Sequence, residues 1–324
     1  MNRRFLIGQY GQFDYNKYDK DYKHDFYGIE ACLFQSEQDI ENLIRESHAE
    51  GFRIGIHFPL RAGISPLRDP LLIAREDNVR SDAYSIAEQE LAYIHSRMQP
   101  DYVLFHYPKP VILDDRADWS NWRFDNRMEY EFESEYAFDE FRKHSDALFE
   151  WLSIMGAKYG FTPVLEFDAV NSYVYDDDYL QRKLEEYSSI KLCLDTARLY
   201  IQDRIDPFFH ADTILRRYAK YAATIHLSNV QIVEGQITQS RTPVLPVQQP
   251  SDGWAPIERY LRIISSENPD VKIMFEHRSE QVSEEQLEQC YRWAGQLLAH
   301  CSLTGSLNIP EGPYEAISSP FSCR

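Results

Sequence analysis

The sequence lacks basic excess, cysteine pairing and long apolar runs. Lys and Arg total 34 against 52 Asp and Glu, a formal charge of −18. Binding a phosphate backbone needs Lys and Arg to release counterions, so this balance argues against a nucleic-acid partner. The five cysteines, Cys32, Cys193, Cys290, Cys301 and Cys323, are odd in number and never fall in a Cys-x-x-Cys pair. That spacing indicates neither a disulfide framework nor a thiolate zinc site. Residues 1–8 carry two arginines followed by only three apolar residues, too few for a signal peptide. No stretch approaches the ~20 apolar residues of a membrane span. The expectation is a soluble protein of the reduced cytoplasm with no membrane partner. No Gly-x-Gly-x-x-Gly follows the first strand-like run, which removes the usual dinucleotide fingerprint.

What the chain does have is ample core material, 43% hydrophobic and 14% aromatic residues, arranged in an alternating pattern. Short apolar runs at residues 5–9, 28–33, 52–57, 102–106, 161–167, 190–195, 224–227 and 271–276 read as strands. Helical stripes separate most of them. Ile40, Leu43 and Ile44 follow Ser36 and end at Gly51; Phe141, Leu148, Leu152 and Met155 end at Gly160. Ser283 and Gln286 form a capping box before the last stripe. Eight strands alternating with helices imply an α/β fold with a parallel sheet, and at this length a closed (β/α)8 TIM barrel. The expected organisation is one domain over residues 1–301 and an irregular tail over 302–324. Residues 107–135 have no core periodicity but hold Trp119, Trp122, Phe124, Tyr130 and Phe132, so they read as an ordered active-site lid.

Chemistry in such barrels sits at the C-terminal strand ends. Those ends carry His57, His106, Glu166, Asp195, His226 and Glu276. Any one of them alone would pass as a polar residue at a barrel rim. Three carboxylates converging at one mouth, however, repel one another unless a cation neutralises them. Glu166, Asp195, His226 and Glu276 are therefore the expected ligands of one divalent ion. Oxygen-rich ligation with one imidazole and no thiolate leans toward Mn²⁺, with Mg²⁺, Co²⁺ or Zn²⁺ as alternatives.

The strand ends Leu165-Glu166, Leu194-Asp195-Thr196, Ile225-His226-Leu227 and Phe275-Glu276, in this order, resemble those of the xylose isomerase-like TIM barrels. That superfamily includes sugar isomerases, sugar epimerases and the endonuclease IV group. The resemblance spans roughly residues 5–301. It implies that Glu166 and Glu276, besides ligating the ion, exchange protons with a sugar-like substrate as a catalytic pair. Chemistry supports this independently: an ion on a carbonyl and its adjacent hydroxyl acidifies the C–H between them and stabilises the enediolate, and a carboxylate on each face can remove and return the proton.

Two departures shape the transfer. Where the superfamily often has Asp-Thr-Gly-His, this chain reads Asp195-Thr-Ala-Arg198. An arginine cannot ligate a metal but can pair with a substrate phosphate or carboxylate. The Asp-x-His that completes the endonuclease IV site is absent between His226 and Glu276. The expected activity is a metal-dependent isomerase or epimerase acting on a sugar or related polyhydroxylated carbonyl compound. The alternatives are a dehydroshikimate-dehydratase-like enzyme, an endonuclease IV-like hydrolase and a non-catalytic sugar- or protein-binding barrel. His57, His106, Lys109, Arg198 and Arg278 are the expected substrate-binding groups, Trp119, Trp122 and Trp254 candidates for stacking on a sugar ring. The sequence leaves room for a homo-oligomer.

Overall fold

A computed structural model describes residues 2–300; the expected tail at 302–324 lies outside them. Eight strands close the barrel: β1 Phe5–Tyr10, β2 Gly28–Cys32, β3 Arg53–His57, β4 Tyr102–Tyr107, β5 Thr162–Phe167, β6 Lys191–Asp195, β7 Ala222–Leu227 and β8 Lys272–Phe275. All eight neighbouring pairs are parallel, and β8 closes onto β1. The run of buried residues on both faces of these strands matches what a helix-covered parallel sheet requires.

Helix ends follow the local signals. Ser36 caps the helix Glu37–Glu50 by accepting from Asp39 N, and Gly51 ends it at φ +74°, a left-handed turn that costs glycine nothing. Ser283 and Gln286 form the reciprocal capping pair of the helix Glu284–His300. Among the described residues, no helix is long and apolar enough to cross a membrane.

Three segments hold structure beyond the eight strands and the helical stripes read from the sequence. The polar loop after β1 contains a helix, Tyr15–Asp21, capped by Asp14. The segment after β7 is a hairpin of Asn229–Val233 and Gln236–Thr242; its second strand is exposed and mostly polar, so no apolar alternation announced it. Residues 107–135 fold around a parallel pair, Val111–Leu113 with Tyr130–Phe132. Val111 and Leu113 join Trp119, Trp122 and Ala169 in a small separate core. Both tryptophans are spent on that packing.

Inside the barrel, side chains alternate along each strand. Leu6, Tyr102, Leu104, Val164, Cys193 and Met274 fill the middle. Glu30 shares this interior. It pairs in register with Gly8 on one side and Gly55 on the other, and Gly55 in turn pairs with Tyr102. The missing side chain at Gly55 admits the Tyr102 ring, whose hydroxyl donates to Glu30 Oε2 at 2.6 Å. A Cβ at Gly55 would lie 2.2 Å from Tyr102 Cζ. Gly55→Ala is therefore expected to destabilise the fold by about 1–3 kcal/mol through overpacking. Urea unfolding checks this, and an unchanged midpoint would contradict the packing described.

Candidate active site

Each site residue is placed by its strand end. Asp195 ends β6 and at once caps the helix Thr196–Ile205, its Oδ1 accepting from Ala197 N at 2.7 Å and Arg198 N at 3.1 Å. Its Oδ2 lies 3.5 Å from Arg198 Nε. Thr196 donates to Ser228 O at 2.9 Å, tying the end of β6 to the loop after β7. Asp195 pairs in register with His226, as His106 does with Glu166. Glu276 follows β8 directly and is held by its N–H to Leu227 O at 3.1 Å.

Three of the four expected ligands, Asp195, His226 and Glu276, gather at this mouth, and Glu166 adjoins them through His226 and Cys193. Asp195, His226 and Glu276 present ligand atoms within 4.8 Å of one another. Glu166 Oε1 lies 3.1 Å from His226 Nδ1. On its other side, Glu166 Oε2 lies 3.0 Å from His106 Nε2 and 3.6 Å from His57 Nε2, and His57, His106 and Glu166 form a second nest of possible ligands. His106 is thus packed against Glu166, while His57 also borders the open cavity described below.

Several groups bearing on the site carry no sequence motif. Glu30 Oε1 lies 3.1 Å from His226 Nε2 and 3.5 Å from His57 Nδ1. Asp69 Oδ2 lies 2.9 Å from His106 Nδ1. Asp168 accepts from Lys109 Nζ at 2.8 Å and from Arg198. One signal was available: Glu30 is the single charge in an apolar strand, and such residues are rarely buried without purpose. Asp69 sits in an irregular loop and had none.

Of the other expected substrate contacts, Lys109 is only 3% exposed. Its ammonium is taken up by Asp168, Asp69 and Glu129, so it braces the carboxylates behind the site. Arg198 Nε lies 3.5 Å from Asp195 Oδ2 and 3.8 Å from Glu166 Oε1, lending positive charge to the ligand cluster. Arg278 is exposed and borders a cavity of about 290 Å³ between β1 and β8, with Arg241, Glu276, Glu30 and His57 also on its wall. Arg241, on the hairpin, comes within 3.6 Å of Glu276. Trp254 does not border this cavity.

The electrostatics are those of a crowded anionic centre. Burial, followed by Glu276 and Glu166, pushes Asp195 up to about 7. Burial would lower the His226 imidazolium, but Cys193, Glu30 and Glu166 outweigh it and hold it well above its ordinary value. Burial would raise Glu166, but His226 and His106 outweigh it and hold the carboxyl well below the usual range. Beyond burial, both upward shifts reflect negative charge gathered at this mouth, which a divalent cation would offset.

The residues fit such an ion. Glu166 Oε2 and His226 Nδ1 are buried without a hydrogen-bond partner, although Oε2 lies 3.0 Å from His106 Nε2 and Nδ1 lies 3.1 Å from Glu166 Oε1. Buried polar atoms are seldom left so. The donor set of three carboxylates and an imidazole suits a divalent ion of the Mn²⁺, Mg²⁺ or Zn²⁺ type.

No protein-family model and no curated protein matches the chain. Solved structures do. A D-tagatose 3-epimerase-like protein aligns over 92% of this chain and 98% of its own at 12% identity, with a TM-score of 0.60. A xylose isomerase domain protein of Salmonella typhimurium aligns over 92% and 98% at 12% identity, TM-score 0.56. The 3-keto-D-glucoside 4-epimerase of E. coli aligns over 92% and 99% at 12% identity, TM-score 0.55. The resemblance read from the strand ends thus holds for the architecture: this chain has the xylose isomerase-like TIM-barrel fold.

Proposed function

We propose that the protein is a divalent-metal-dependent isomerase or epimerase of a sugar or related polyhydroxylated carbonyl compound. The observation that carries this reading is the gathering of Asp195, Glu276 and Glu166 about His226, with Glu166 Oε2 and His226 Nδ1 buried and unpartnered, beside a cavity lined largely by polar and charged side chains. These four residues would hold the ion. When bound, it supplies positive charge that binds neighbouring carbonyl and hydroxyl oxygens and acidifies the C–H between them.

The chain's own residues do the rest. Glu276 is the ligand most open to the cavity, with a side chain 27% exposed, and takes or returns a proton on the substrate face turned toward β8. Glu166, 1% exposed, serves the opposite face, where its proton is shielded from bulk water. Proton transfer between a carbon and two flanking carboxylates inverts a centre or moves a carbonyl without net loss of atoms. Arg241 and Arg278 border the cavity and orient the substrate's polar groups. Ketohexoses such as D-tagatose are the first compounds to test, in D₂O with Mn²⁺ present. Deuterium entering a carbon-bound position without loss of water is the expected result. Loss of water would move the reading to the dehydratase.

A second reading, hydrolysis with a second ion that His57, His106 and Glu166 would hold, has one observation behind it: the nest these three residues form. Two equivalents of tightly held metal per chain would favour it over the one expected here.

A further inference from the structure

The histidines of the mouth share a feature that the ligand list alone does not explain. Each has one ring nitrogen against a buried carboxylate and the other turned toward Glu166. Glu30 stands at Nε2 of His226 (3.1 Å) and Nδ1 of His57 (3.5 Å). The opposite atoms, His226 Nδ1 and His57 Nε2, lie 3.1 Å and 3.6 Å from Glu166. Asp69 does the same for His106, holding Nδ1 at 2.9 Å while Nε2 faces Glu166 at 3.0 Å. Glu30 serves two rings at once, from strand β2 across the barrel from β7.

We propose that Glu30 is a positioning residue for the metal centre: it fixes the His226 tautomer with the proton on Nε2, so that Nδ1 is the metal-binding atom. Glu30 is 3% exposed, and Oε2 accepts the Tyr102 hydroxyl at 2.6 Å while both oxygens reach His226 Nε2. Its carboxylate is thus occupied on the side away from the ion. A carboxylate behind a histidine ligand orients the ring and raises its basicity, and its removal typically costs about 10–100-fold in metal affinity. Tyr102 in turn fixes Glu30, in the space that Gly55 leaves open. Glu30, His57 and His226 could also be read as a ligand triad in themselves; the test separates the two.

The inference rests on the divalent-ion reading, and the experiment keeps their failures apart. Co²⁺ affinity of the full chain is measured by chelator competition for the parent, Glu30→Gln, Glu30→Leu and Tyr102→Phe, with circular dichroism and thermal midpoint of the metal-free proteins as fold controls. The visible spectrum of each Co²⁺-loaded protein reports the ligand field at His226, which a merely structural role would leave unmoved. Expected are unchanged stoichiometry, Co²⁺ binding weakened about 10–100-fold in Glu30→Gln, a smaller loss in Tyr102→Phe and a shifted Co²⁺ band in both. Glu30→Leu, which removes hydrogen bonding as well as charge, should weaken binding at least as much. Parent-like affinity and spectrum in a folded Glu30→Gln would overturn the proposal. So would complete loss of one metal equivalent in that folded variant, since it would make Glu30 a ligand. A parent protein that binds no divalent ion would instead overturn the metal reading itself.

Discussion

Glu166→Gln is expected to lower turnover by at least about 10³-fold, since general acid–base groups alone contribute about 10²–10⁴ and in the proposed reading this residue would also hold the ion. The two losses can be told apart. Glutamine keeps the shape and can still offer an oxygen, so a metal-saturated variant isolates the missing proton acceptor. Turnover of a ketose by the metal-loaded variant, followed by NMR, is the check. A variant that binds metal and turns over like the parent would remove Glu166 from the acid–base role and leave it a ligand only. Glu276→Gln should behave likewise on the face open to the cavity. Because Glu276 is the more accessible of the two, deuterium uptake at the position it serves should be the first to vanish.

The second large effect concerns pH and the ion together. Asp195, at about 7 in the folded chain, keeps a proton that the unfolded chain, near 3.9, has lost. Its contribution to stability therefore falls as pH rises from about 4 to 7 and stays lost above. His226 is raised above its ordinary value, so its stabilising proton is fully in place below about 6.5 and is lost as pH rises through the folded value. Both groups weaken the metal-free fold on the alkaline side, and both must give up a proton when an ion binds. Metal should accordingly bind better at pH 8 than at pH 6, with protons released. At a hundredfold excess over Kd the ion adds about 2.7 kcal/mol, which for a chain of this size raises Tm by about 5 °C. Thermal scans with and without Mn²⁺ at both pH values test this. Asp195→Asn should abolish the metal-dependent rise while making the metal-free protein more stable at pH 8. A metal effect equal at the two pH values would contradict the assignment.

How much of this was legible in the sequence follows from what fixes each feature. The barrel strands were legible because an all-parallel sheet is buried on both faces and so reads as short apolar runs between helical stripes. The strand ends were legible because a lone Glu, Asp or His closing such a run has few reasons to be there. The hairpin after β7 was not, since Gln236–Thr242 is exposed and carries no alternation. Nor was the site's outer shell. Asp69 lies in a loop, where position is set by tertiary contacts and not by period, and Lys109, read as a substrate contact, instead pairs with Asp168. Glu30 was visible as a charge within a strand, but its meaning depends on register. Only the pairing Gly8–Glu30–Gly55 and the reach to His226 on β7 reveal where it stands. Arg198 was read as a substrate contact, yet its guanidinium also lies 3.5 Å from Asp195, where it offsets part of the ligands' charge.

The most direct test of the account is metal stoichiometry. Full-length protein stripped with chelator, dialysed against Mn²⁺ and then against metal-free buffer at pH 8 would be assayed by elemental analysis beside His226→Ala and Asp195→Asn. The expected result is about one equivalent retained by the parent and almost none by either variant, both remaining folded. Metal-free parent protein under these conditions, or variants that retain the parent's equivalent, would contradict it.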